Sequence, residues 1–287
     1  AAAGKLPTAA QQYEDWTIQY VNAGLMESLE GVVSQETVDN FPDALVDSCT
    51  FYGKMYTLPF NKSAMVLFYN TDLVDEPPET WDELLSKAEE LTVDKDGDGK
   101  KDQYGFGLRP TPELFSLFHQ QAGGRFLSSD KSELLIDSDK GVRALNFLKE
   151  LRKHSLYQTG YLSGPFGSGK VAMYIGSSAG APYVASASEG NHGWDTADLP
   201  DGPANGDSMI QGTNVGVFKV GNKEKEIEAG LKYIQFLTKD KWTIYWARKT
   251  GYIPVTSSAL SSDEWKSFLD ENPKRKASTQ MMKEGFV

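Results

Sequence analysis

Asp94, Asp96, Asp98 and Asp102 occupy positions 1, 3, 5 and 9 of the stretch DKDGDGKKD, with Gly99 at position 6. Carboxylates at alternate positions around a sharp glycine turn can gather hard oxygen ligands about one cation. This is the arrangement of a calcium loop, in which the backbone carbonyl of Lys100 stands at position 7. Position 12 is Gly105, where a full EF-hand needs a bidentate Glu. The plain alternative is an exposed, charged turn. Nothing reactive neighbours the loop in sequence, so a calcium ion held there would be structural, and no cofactor is otherwise required.

Two further stretches imitate catalysis. GPFGSGKV, Gly164 to Val171, fits the phosphate-binding pattern G-x-x-x-x-G-K-[S/T] until its last position, where Val171 has no hydroxyl to hold a magnesium ion. GSSAG, Gly176 to Gly180, fits the nucleophile elbow with Ser178 as the nucleophile. Its only later histidine is His192, with Glu189 the only carboxylate between them, and such close neighbours do not form a triad delivered from separate strand ends. The remaining histidines, His119 and His154, make no pair at ligand spacing, so transition-metal chemistry is not supported.

The elements that would carry these residues alternate in type. Thr80 with Glu83 three residues later marks a helix start within 77–91. Val142, Leu145, Leu148 and Leu151 predict one buried helix face, as do Ile227, Leu231, Ile234 and Leu237 in the helix after them. A further helix is predicted from Asp240, stopping at Gly251 in a left-handed C′ conformation. Strands are predicted over 65–69, 171–175 and 215–220, and the Gly-, Asn- and Asp-rich stretch 189–207 reads as loop. Strands alternating with helices give an α/β fold.

Bulk properties bound the function. A chain of 287 residues is long enough for two ordinary domains or one large one. A net charge of −11 disfavours a nucleic-acid partner. No apolar run is long enough to cross a bilayer. Cys49, the single cysteine, forms no internal disulfide and reads as a small half-buried side chain. The start, Ala1-Ala2-Ala3-Gly4, lacks the features of a secretory leader, which in an exported protein would lie upstream.

YTLPFNKSAMVLFYNTDLV, from Tyr56, resembles the segment of carbohydrate-type ABC-importer solute-binding proteins that leaves the first lobe and crosses into the second. ETWDELLSKAEEL, GKVAMYIGSSAGA, GTNVGVFK and WARKTGYIPVTSSAL resemble the same family in the same order. LPTAAQQYEDWT and FLDENPKRKASTQMM resemble its glycerol-3-phosphate and glycerophosphodiester branch.

The resemblance implies a two-lobed periplasmic-binding-protein-like fold (type II) with a ligand cleft between the lobes. The first lobe is expected over 1–62 plus 214–253 and the second over 65–210 plus 256–287, with hinge crossings at 63–64, 211–213 and 254–255. It also implies ligand contacts. Glu14, at the end of a predicted strand, matches an acid that accepts hydrogen bonds from glycerol hydroxyls. Ser63, Ser177, Gly212 and Tyr252 match further contacts, and Asn61 is placed at the same crossing. Trp16 is added for its aromatic face, which can stack on sugar or polyol carbons. From the residues alone each has a plainer role: a solvated strand end for Glu14, turns for the serines and Gly212, a core ring for Tyr252. Lys62 replaces a small polar residue of the branch and is expected to be solvated, the alternative being a reach toward an anion.

By the same resemblance the chain is expected to be truncated at both ends. The family opens with a strand, a helix and a strand ahead of this start, including another ligand-contacting tyrosine. It continues past this end into a segment whose arginine pairs with phosphate. The expected function is non-enzymatic capture of a glycerol-3-phosphate-type ligand or a sugar, as a monomer, for delivery to membrane permease subunits. The expected location is periplasmic or extracellular, with an N-terminal lipid anchor in a Gram-positive cell. The alternatives are a serine hydrolase using Ser178 and an adhesin or sensor module uncoupled from transport.

Overall fold

The computed structural model describes residues 6–128, 130 and 132–287, the side chains of 283 and 284 excepted. Among them the strands are β1 (Ala9–Gln12), β2 (Thr50–Phe51), β3 (Lys54–Met55), β4 (Thr57–Asn70), β5 (Tyr104–Leu108), β6 (Ser155–Tyr157), β7 (Val171–Ser177), β8 (Trp194–Ala197) and β9 (Ile210–Val217). The chain divides into two compact units. One comprises the described residues up to Ser63, Ile210–Pro273 and Val287; the other comprises Ala64–Met209 and Lys274–Phe286.

In the first unit β1 runs antiparallel to β9, with Ala9 opposite Val217 and Gln12 opposite Asn214. The strand order continues from β9 to β4. Period-2 alternation places Val215 and Val217 in the core, and Ile234 of the helix Glu224–Leu237 is fully buried with them. Gly230 allows that helix to approach closely, since a Cβ there would lie 2.9 Å from Thr8 Cγ2. The predicted face is the one that packs, with Gly230 added to it. β2 and β3 form a hairpin whose turn residues Tyr52 and Gly53 both take positive φ, 52° and 75°.

The helix Asp240–Lys249 ends on an extended Thr250, and Gly251 is not left-handed, so the predicted glycine stop is not used. Ile244 and Ala247 of this helix pack instead against Ala259 and Trp265, from the helices Ser257–Ser261 and Asp263–Glu271. That small core corrects the expected third crossing. Residues 256–273 stay with the first unit, and the chain leaves it after Pro273.

In the second unit Met65 to Tyr69 of β4 pair antiparallel with Ser177 to Met173 of β7, and Leu67 to Asn70 pair with β8. β5 lies parallel to both β6 and β7. The stretch 189–207 is therefore not all loop, because β8 falls inside it. Leu67, Leu84, Phe106, Phe118, Leu151 and Met173 lie in one hydrophobic cluster. The helix Trp81–Glu90 starts where the capping pattern predicts: Glu83 N donates to Thr80 Oγ1 at 3.2 Å. Its Glu83 carboxylate reaches back to Glu79 N, one residue before the cap.

The helix Asp139–Arg152 buries only the second half of the predicted face, Leu151 within the core and Leu148 against it. Val142 is 50 % and Leu145 56 % exposed, whereas Gly141, Ala144 and Leu151 are buried. Gly141 is against the Ile136 backbone, where a Cβ would sit 1.9 Å from the carbonyl oxygen. Close backbone packing chose the small residues, and hydrophobicity alone pointed one position away.

Candidate functional site

β4 is the strand that carries Asn61, Lys62 and Ser63. It is much longer than the predicted 65–69, and these polar residues lie within it, all buried. Lys62 is corrected most sharply: its side chain is 0 % exposed, not solvated. Its Nζ donates to Glu14 Oε1 at 2.9 Å. The same oxygen accepts from Asn214 Nδ2 at 3.0 Å. Two donors on one carboxylate oxygen, one of them charged, give short, directional bonds that hold the side chain still.

Glu14 is the first residue of the helix Glu14–Asn22, following Tyr13, rather than the end of a strand. There a carboxylate gains from the helix dipole and the unpaired N–H groups of the first turn. Thr17 tightens that turn by donating from Oγ1 to Tyr13 O at 2.8 Å. One turn of backbone thus carries both Glu14 and Trp16. Trp16 is 45 % exposed, with its ring edge-on to Tyr13 at 5.0 Å.

Asn61 belongs to a second amide cluster. Its Nδ2 donates to Gln11 Oε1 at 3.0 Å, and Thr213 Oγ1 donates to the same oxygen at 3.0 Å. Gly212 takes φ +121°, and any Cβ there would lie 1.7 Å from Asn61 O. Only glycine permits this approach of backbone to backbone. Tyr252 is half-buried beside Ile253, whose N–H donates to Lys62 O at 2.9 Å. In the first unit Asn61 is therefore next to Lys62 in β4, Gly212 lies on the neighbouring β9, Glu14 is held by the Lys62 ammonium, and Tyr252 precedes the residue bonded to Lys62 O. The fold adds Asn214, Gln11 and Thr213, which sequence reasoning missed. Their signal was an amide or hydroxyl inside a strand-like run, in QQ and in GTNVGV. Cys49, also in this unit, is fully buried rather than half-buried, and burial pushes its thiol up to about 11. An unionised thiol of this kind is a core group.

Ser177 belongs to the second unit. It is the last residue of β7 and caps the short turn Ser178–Gly180, its Oγ accepting from Ala179 N at 3.2 Å. Ser178 is buried, and its Oγ accepts from Ala64 N at 3.4 Å. Both ring nitrogens of His192 lie against carbonyl oxygens, Nε2 at 2.7 Å from Phe166 O and Nδ1 at 2.8 Å from Gly193 O. Backbone carbonyls, not Ser178, are thus what the ring nitrogens face. The GPFGSGKV stretch runs from the short helix Ser163–Gly167 into β7. A strand follows where a phosphate-binding loop needs a helix.

Residues 1–277 match the family model of bacterial extracellular solute-binding proteins. The chain belongs to that family. Among its relatives is the sn-glycerol-3-phosphate-binding periplasmic protein UgpB of Yersinia enterocolitica, 25% identical over 97% of this chain and 68% of that protein. A putative binding protein of Brucella abortus is 27% identical over 89% of this chain and 64% of its own length. Solved structures share the fold. One is the cyclic alpha-maltosyl-1,6-maltose binding protein of Arthrobacter globiformis, with TM-score 0.84, 22% identity, and 99% of this chain and 74% of that one covered. Another is UgpB of Mycobacterium tuberculosis in complex with glycerophosphocholine, with TM-score 0.82, 19% identity, and 98% and 72% covered. The α/β solute-binding fold expected from the sequence is the one observed, and the family is one of binding proteins rather than enzymes.

The acidic loop belongs to the second unit. Asp94, Asp96 and Asp102 each offer a carboxylate oxygen, all within 4.8 Å of one another. Hard oxygen donors at that spacing fit calcium. Asp98 is not among them: Oδ1 accepts from Lys100 N at 2.8 Å and Oδ2 lies 3.7 Å from Lys100 Nζ. Asp94 accepts from Gly97 N at 2.7 Å and Gly99 N at 2.8 Å. The Gly99 N–H, helped by that of Gly97, holds the Asp94 carboxyl below its ordinary value.

Proposed function

We propose that this chain captures a glycerol-phosphate-type ligand or a sugar and hands it, chemically unchanged, to the permease subunits of an ABC importer. The observation that carries the reading is the Glu14 carboxylate, held at a helix N-terminus by Lys62 and Asn214, with an exposed aromatic residue, Trp16, in the same first turn. A fixed carboxylate accepts hydrogen bonds from ligand hydroxyls, and an aromatic face covers the C–H face of a polyol or sugar ring. The names of the relatives support both ligand chemistries: one binds sn-glycerol-3-phosphate, and one is a cyclic alpha-maltosyl-1,6-maltose binding protein.

Within this reading Ser63 and Tyr252 from the first unit and Ser177 from the second are further contacts. We assign the loop Asp94–Asp102 to a structural calcium ion held by Asp94, Asp96 and Asp102. The ion would take no part in capture.

Calorimetric titration with glycerol-3-phosphate, glycerophosphocholine and maltose, with and without calcium, tests the whole reading. Binding of at least one ligand is expected, weakened by Glu14→Gln and by Ser177→Ala. Glu14→Gln is preferred to alanine because it keeps an acceptor for the buried Lys62. The ligand site is wrong if neither substitution changes affinity, and the function is wrong if no ligand of either class binds.

A further inference from the structure

We propose that Lys62 is a positioning and specificity-determining residue for capture: it fixes Glu14 so that one carboxylate oxygen, Oε2, accepts the hydroxyls of an uncharged polyol or sugar moiety. This rests on the reading of Glu14 as the ligand's acceptor.

The geometry of the carboxylate points that way. Oε1 is occupied twice, by Lys62 Nζ at 2.9 Å and Asn214 Nδ2 at 3.0 Å. Among the described residues Oε2 takes no hydrogen bond, and the Glu14 side chain remains 31% exposed while Lys62 is 0% exposed. One oxygen is thus committed inward and the other is left as an acceptor, with no further protein donor competing for it. A carboxylate not held in this way turns its oxygens to water, and a ligand must then pull it into place at its own cost.

The charge of the pair sets the second part of the inference. An isolated carboxylate at the surface attracts cations. Here a buried ammonium 2.9 Å away cancels most of that field. What remains at Oε2 is a strong, oriented acceptor without a net charge to neutralise, and hydroxyl groups match it better than an amine does. The near-neutral pair also imposes little repulsion on an anionic group elsewhere in the ligand, so a phosphorylated polyol is tolerated as well as a neutral sugar. Lys62 can play this role only because Ile253 N fixes its own backbone, donating to Lys62 O at 2.9 Å. Asn214 reinforces the arrangement from the neighbouring strand β9, its Nδ2 shared between Glu14 Oε1 and, at 3.4 Å, Ser48 O.

The test is a double-mutant cycle on the intact protein with K62M, E14Q and E14Q/K62M, titrated with glycerol-3-phosphate, glycerophosphocholine and maltose. If Lys62 acts through Glu14, K62M weakens binding of whichever ligand the wild type takes by roughly tenfold or more. The same change costs little in the E14Q background, because there is no charge left to position. Equal losses in both backgrounds make Lys62 merely structural and overturn the proposal.

Thermal melts of all four proteins accompany the titrations, and K62Q, which keeps a donor for Oε1, serves if K62M does not fold. K62Q should retain more affinity than K62M where both fold. A ligand-free readout separates this proposal from the functional reading. Nitrogen-edited NMR of the Lys62 ammonium is expected to give a slowly exchanging signal in the wild type that moves in E14Q. If the wild type binds none of the three ligands, the functional reading fails, and that signal alone decides whether Lys62 positions Glu14. A signal unmoved by E14Q overturns the proposal.

Discussion

Two groups of carboxylates in this molecule are held still by opposite means. Glu14 is fixed by side chains, a buried ammonium and a buried amide, both from neighbouring strands. Asp94 is fixed by its own loop, through the N–H groups of Gly97 and Gly99. The first arrangement is non-local: it joins residues 14, 62 and 214, so it exists only when the strands of the first unit are assembled. The second closes within six residues and survives as long as one turn does. The contrast teaches that a carboxylate's chemistry follows from who holds it. Side chains from separate strands leave one defined oxygen for a partner, whereas backbone amides from one turn hold a carboxylate among its own loop's acids.

Glycine marks both places, and the two glycines should respond very differently to one methyl group. Gly212→Ala forces φ +121° on an alanine and drives its Cβ to 1.7 Å from Asn61 O, a backbone atom that cannot step aside. A loss of more than about 3 kcal/mol is expected in denaturant unfolding, with β4 and β9 forced apart. Glu14→Ala comes next. It leaves the Lys62 ammonium buried without its carboxylate, which costs about 2–3 kcal/mol, less than for a wholly buried pair because water can enter through the space Glu14 vacates. The double substitution Glu14→Ala with Lys62→Met should recover much of that loss in the same denaturation experiment. No recovery would mean that the pair is not the reason for the destabilisation.

The same contrast explains what the sequence made legible. The loop of aspartates, the Thr80 cap and the strand–helix alternation are local patterns, and a local pattern can be read along the chain. Glu14 with Lys62 could not be read this way, because nothing within either neighbourhood announces the other. A lysine followed by a serine in a strand reads as solvated until a carboxylate from another element is brought over it. The misread first half of the helix Asp139–Arg152 has the same origin: Gly141 and Ala144 are buried because a neighbouring backbone comes close, and Val142 and Leu145 are left outside. The fold and most first-unit ligand candidates came from order of motifs along the whole chain. Asn214, Gln11 and Thr213 came only from the pairing of β1 with β9.

Gly99→Ala probes the weaker half of the comparison and should have the smallest effect. Gly99 takes φ +86°, but a Cβ there meets nothing within 4 Å, so the cost is conformational alone, about 1 kcal/mol. The exposed loop can also relieve that strain by local opening, so global unfolding will register less of it than hydrogen exchange confined to 94–102. The titration of Asp94 is the sharper measurement. Because its folded pKa lies below the ordinary value of 3.8, Asp94 contributes stability above that pH and loses it as pH falls through the lowered value. Carboxyl NMR of the calcium-free wild type should therefore show a midpoint below 3.8, and Gly99→Ala, by displacing the main N–H donor, should move it back toward 3.8. If the midpoint stays where it was, the carboxylate is held by something other than its own turn. The difference between the two groups would then be one of burial rather than of who donates.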